Sequence, residues 1–188
     1  MKDFIESAKN LINDTNNVVF KKTYKIEKKD ILIGLLIVFI TNYCLTAIIN
    51  NSLDAIAPLA LTCILIIGTF IIWSCGVVWR DQKNTISFWS KLYLLSVLSF
   101  IFNVIQIPLQ LIAKILPDSI LLGYYIVIYS FLIIASNFML LKIISLGFRM
   151  ETKRTLFAFI LFLVVSGGLM YLIQGQFGLL IPFFLIGK

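Results

Sequence analysis

The chain has 188 residues, 60% of them hydrophobic and 13% charged, with a net charge of +7 and a mean hydropathy of +1.00. A soluble domain averages roughly 45–50% apolar and about 25% charged residues, and one of this size still faces water over most of its surface, so this composition excludes a soluble core. The basic residues sit at the ends of apolar runs, where topology and anionic lipid account for them; no nucleic-acid partner is expected.

Residues 1–30 form the only long polar segment. Phe4, Ile5, Ala8, Leu11 and Ile12 recur at helical spacing, with Lys2, Glu6, Lys9 and Asn13 between them, which predicts a short amphipathic helix at the membrane surface. The competing expectation is a partly ordered tail, because isolated helices of three turns are marginal. Lys21, Lys22, Lys25, Lys28 and Lys29 follow as a basic cluster beside the membrane. The first apolar run starts only near Ile31, too late for a cleavable signal, and is expected to be a retained signal anchor.

Five spans are predicted, at 31–50, 55–79, 91–116, 119–142 and 155–174. Each is long enough for a hydrocarbon core of about 30 Å. Their runs are continuously apolar, not alternating, which excludes a β-barrel. The expected fold is an all-α transmembrane bundle in one domain over 31–176. Counting Lys and Arg with the N-terminus inside puts fourteen of the sixteen on the inner side, so the N-terminus is expected inside and the C-terminus outside. Trp79 and Trp89 mark inner span ends, and Tyr124 and Tyr125 an outer one. Residues 177–188 are apolar but short and carry Pro182. They are expected to be re-entrant or interfacial, or a sixth span if Gln174 to Gly178 forms a tight turn.

The third span carries the sharpest pattern. Ser96, Ser99, Asn103, Gln106 and Gln110 recur at intervals of three and four, one stripe on a helix, with Pro108 inside it. Amides at membrane depth are costly against lipid, so the stripe should face protein or a wet cavity. It is read either as a line of solute contacts or as interhelical packing, the second being favoured. Asn42 and Asn137 are its candidate partners.

Other chemistry is constrained by what is missing. Histidine is absent, removing the commonest general base and a common zinc ligand. No Asp or Glu lies deep in a span, as proton-coupled pumps and intramembrane aspartyl proteases require. No Walker sequence is present, and no acidic cluster suited to Mg²⁺. Cys44, Cys63 and Cys75 lie in apolar runs and indicate no disulfide framework. The expectation is a protein without enzymatic activity and without cofactor or metal, in a bacterial inner membrane or an organellar membrane.

Two stretches carry a resemblance. Residues Ser87 to Leu111, SFWSKLYLLSVLSFIFNVIQIPLQL, and Gly147 to Leu163, GFRMETKRTLFAFILFL, resemble the third span and the last inner loop of the Yip1 family of small membrane proteins. The resemblance covers roughly residues 25–175. It implies a cytosolic N-terminal segment followed by five closely spaced spans. Asp30 to Gly34 departs from the acidic signature that eukaryotic members carry before the first span, so small-GTPase binding is not carried over. The function expected is partner binding or membrane organisation, with membrane lipids, another membrane protein or a second copy as partners. The alternative is a small-solute transport component, such as the substrate-binding subunit of a vitamin uptake system. In that reading the third span would line a pocket with Tyr124, Tyr125 or Trp73.

Overall fold

A computed structural model describes residues 2–14, 26–50, 55–78, 87–148 and 151–177. It contains six helices among those residues: α1 (Lys2–Asn13), α2 (Lys28–Asn50), α3 (Ile56–Val78), α4 (Phe88–Ala113), α5 (Asp118–Phe148) and α6 (Thr152–Phe177). No described residue is in a strand. Helices α2 to α6 are each long and apolar enough to cross a membrane. Hydrocarbon offers no partner to a backbone N–H or C=O, so these runs close their hydrogen bonds within the segment.

The helix ends differ from the sequence-based edges for identifiable reasons. At the end of α4 the Lys114 and Ile115 amides donate to Gln110 and Ile112, tightening the last turn. Pro117 has no amide hydrogen and stops the run there. Its carbonyl then accepts from Ile120 and Leu121, both at 3.0 Å, and starts α5. Helix α5 continues past residue 142 to Phe148, with no proline to stop it. Helix α6 runs unbroken through Gln174 to Phe177. The tight turn over Gln174 to Gly178 that a sixth span would need is therefore not present in the described residues; 178–188 lie outside them.

Helix α4 is the axis of the bundle. It packs against α1, α2, α3 and α5, with α2 as its most extensive neighbour. In α4, 61% of the best membrane-length window is buried, against 18–39% in the other four spans. Helix α6 closes the arrangement against α3 and α5. The outward faces are apolar: Leu32, Leu36 and Ile40 on α2, Phe131, Ile134 and Phe138 on α5, Phe157 and Val164 on α6 are all exposed. In water that distribution would be an error of patterning; against lipid tails it carries no such penalty.

Helix α1 does not lie apart from the bundle. Phe4, Ser7, Ala8 and Leu11 are buried, and the helix packs on α4 and α2. Phe4 meets Tyr93 and Phe100 edge-on, with ring centroids 5.7 and 5.5 Å away. Gly34 makes room for it: a Cβ there would stand 2.9 Å from the Phe4 ring. The amphipathic face expected to rest on the membrane surface is thus largely used on protein.

Candidate functional site

The polar stripe of α4 faces the bundle interior. Ser96 is fully buried, Asn103, Gln106 and Gln110 are buried, and Ser99 is half-buried. Ser96 Oγ donates to the Leu92 carbonyl one turn back, 2.7 Å away. Asn103 does more. Its Nδ2 donates to Asn42 Oδ1 at 2.7 Å and to Thr41 Oγ1 at 3.1 Å, both on α2. Asn42 Nδ2 in turn donates to Thr62 Oγ1 on α3 at 3.4 Å, and Thr62 Oγ1 donates to the Pro58 carbonyl at 2.8 Å. One line of hydrogen bonds therefore ties α4, α2 and α3 together near mid-helix. Asn42 is a partner of the stripe, as the sequence suggested. Thr41 and Thr62 were not singled out, and hydroxyls among apolar residues on the two adjoining spans were the available signal. For Asn137, half-buried on α5, no hydrogen bond to the stripe is found among the described residues.

Toward the C-terminal end of α4 the stripe is less well satisfied. Gln110 Oε1 accepts from the Tyr125 hydroxyl at 3.4 Å, but Gln110 Nε2 is buried with no hydrogen-bond partner. The Tyr124 hydroxyl donates to the Leu109 carbonyl at 2.9 Å, so both tyrosines tie the start of α5 to α4. Trp73 packs edge-on against Phe88, away from these groups.

At the N-terminal end of α4 two polar contacts tie it to its neighbours. Lys91, expected to serve as an inner-loop charge, is 1% exposed. Its Nζ donates to the Gly147 carbonyl at 2.7 Å. The last carbonyls of a helix have no intrahelical partner and carry partial negative charge, so an ammonium at the end of α5 is well placed. Gly147 permits the approach, since a Cβ there would stand 2.9 Å from Nζ. Two residues further along α4, the Tyr93 hydroxyl donates to Ser7 Oγ of α1 at 3.0 Å, and Ser7 Oγ donates to the Asp3 carbonyl at 2.7 Å. Neither contact was read from the sequence, although a serine in the middle of the apolar face of α1 was a visible sign that this face meets a polar partner.

Of the basic cluster, Lys28 and Lys29 begin α2 and are exposed, while Lys21, Lys22 and Lys25 lie outside the described residues. Among the described residues no group of three or more Cys, Asp or Glu side chains is placed to hold a metal ion. No family model matches this chain, and no curated protein or solved structure is similar to it at a significant level. Helix length and apolarity alone make it an integral membrane protein of the helical-bundle class.

Proposed function

We propose that this protein is a non-enzymatic membrane protein that works by binding partners or organising the bilayer, with its N-terminus on the inner side. The observation that supports this most is the use of the Asn103 amide. Both hydrogens of its Nδ2 are taken by Thr41 and Asn42, so Asn103 is a helix-to-helix fastening with no amide hydrogen left for a solute. The surfaces left for partners are the outer faces of the helices and the lysine-rich segment before α2. About 1 kcal/mol per basic residue near an anionic leaflet is the scale of the attraction that segment would contribute. The layout of a polar segment followed by five spans is that of Yip1-like proteins, and kinship with them rests on layout alone.

A second reading, a small-solute transport component, is favoured by one observation: the buried Gln110 Nε2 without a partner, beside Tyr125. An orphaned buried amide donor costs roughly 1–3 kcal/mol and is relieved by an acceptor. A thermal-shift screen of the detergent-solubilised protein against a library of small polar solutes separates the two. Under the first reading no solute raises the melting temperature. A shift that disappears when Gln106 and Gln110 are changed to Leu would replace it with the second.

A further inference from the structure

Helix α1 has an apolar flank that the bundle does not cover. Phe4, Ala8 and Leu11 are buried, but Ile5 is 51% and Ile12 60% exposed. The two isoleucines are seven residues apart and stack on one line of the helix, roughly 90° round from Phe4. Lys9, Glu6 and Asn13 are exposed further round.

The depth of the first turn of this flank, where Ile5 sits beside Phe4, follows from what Phe4 touches. A Cβ on Gly34 would lie 2.9 Å from the Phe4 ring and 3.7 Å from Ser96 Cβ, so Phe4 sits level with Gly34 and Ser96. Gly34 is six residues into α2 and Ser96 eight into α4, which is about 9 and 12 Å along each helix. The 26 residues of α4 are about 39 Å long and exceed a 30 Å hydrocarbon core by about 4–5 Å at each end. Phe4 therefore lies about 5–8 Å inside the hydrocarbon boundary, the depth at which amphipathic helices bury their apolar side. The stretch of α2 that receives it also exposes Leu32 and Leu36, as a lipid-facing surface does.

We propose that α1 is inserted in the phospholipid leaflet around the starts of α2 and α4, with Ile5 and Ile12 against acyl chains and Lys9 beside the headgroup phosphates. Of the described helices, six then lie in one leaflet and five in the other. The inference rests on the reading that α2 to α6 cross a membrane.

The test uses the full chain with Cys44, Cys63 and Cys75 replaced by serine, reconstituted in phosphatidylcholine nanodiscs. Single nitroxide labels are placed at Ile5→Cys, Ile12→Cys, Glu6→Cys and Asn13→Cys, and at Phe131→Cys on the exposed face of α5. Relaxation by oxygen, which partitions into lipid, is compared with relaxation by a water-soluble nickel chelate. The expected result is oxygen above nickel at 5, 12 and 131, and the inverse at 6 and 13. Nickel above oxygen at 5 and 12 with oxygen above nickel at 131 overturns the inference alone. Shielding of 5 and 12 from both reagents also overturns it, because protein would then cover the flank. Nickel above oxygen at 131 as well removes the spanning reading beneath it.

Discussion

Lys91 and Gly147 join the start of α4 to the end of α5: the Lys91 ammonium donates to the Gly147 carbonyl across 2.7 Å, and the missing Cβ of Gly147 is what lets it approach. The two residues are 56 positions apart in the chain. Because both helix ends belong to the same side of the membrane, the bond fixes the depth of one helix against the other. A buried cation is costly unless its protons are used, and a helix C-terminus supplies acceptors that have no partner of their own.

The first prediction is a coupling between these positions. Lys91→Met keeps most of the stem and removes the ammonium; it is expected to destabilise the bundle by about 1.5–3 kcal/mol, the range for hydrogen bonds to charged groups. Gly147→Ala places a methyl against Nζ and is expected to cost about 1–3 kcal/mol. In the Lys91→Met background the same alanine should cost distinctly less, because the atom it would strike is gone. Unfolding free energies of the two single variants and the double variant in bicelles measure this directly. Additive costs would show that the two residues do not act as a pair.

Asn103 supports a second prediction. Asn103→Leu leaves Asn42 Oδ1 and the Thr41 hydroxyl without their donor, near the middle of the membrane. The expected loss is about 1–2 kcal/mol, the upper part of the range measured for interhelical hydrogen bonds in bilayers. Changing Asn42 to Leu in the same chain should restore part of it, because no polar atom of the pair then remains to be satisfied. Ser99→Ala, by contrast, is expected to change stability by less than about 0.5 kcal/mol, since Ser99 is only half-buried and outside this hydrogen-bond line. If Asn103→Leu is as stable as the parent by the same unfolding measurement, the line of bonds across α4, α2 and α3 does not hold the bundle.

The membrane class and the five helices were legible because twenty consecutive apolar residues have few alternatives in water or lipid. The α4 stripe was legible too, since amides at intervals of three and four must share a face. Residues that act through tertiary contact were not. Lys91 reads as one more inner-loop charge, and only the approach of Gly147 56 residues later turns it into a buried cap. Phe4 reads as half of a surface helix until Gly34 supplies the bare backbone it packs on. The far ends of α5 and α6 ran longer than their hydropathy indicated because no proline interrupts them, and Gly147 and Gly175 each cost a helix only about 1 kcal/mol; apolarity fades there, but backbone bonding does not.

Orientation gives a third prediction. With the lysine-rich segment and Lys142, Lys153 and Arg154 on one side, the rule that Lys and Arg accumulate inside places both the start of α2 and the start of α6 there. A reporter fused before Met1 should be active only in the inner compartment, and one fused after Lys188 only outside. Reversing the charges of Lys21, Lys22, Lys25, Lys28 and Lys29 should produce a mixture of orientations in the same assay. A C-terminal reporter active inside would mean an even number of crossings.

The last prediction concerns how α1 is held. A helix of 12 residues is marginal by itself in water, and this one depends on docking: Phe4 between Tyr93 and Phe100, and Ser7 under the Tyr93 hydroxyl. Phe4→Ala removes a buried ring. In a closed core that substitution costs about 3–5 kcal/mol; here the cost is capped at the free energy of docking, because α1 can leave while α2 to α6 stay packed. Amide hydrogen exchange over residues 4–13 should therefore rise sharply in Phe4→Ala while exchange in α4 changes little. Gly34→Val should have the same effect from the opposite side, since its Cβ would stand 2.9 Å from the ring and its methyls would press on it further. Tyr93→Phe should do far less, because it deletes one neutral hydrogen bond worth about 0.5–1.5 kcal/mol and leaves the ring contact in place. Equal exchange in all three variants and the parent would mean that α1 is held by something other than this cleft.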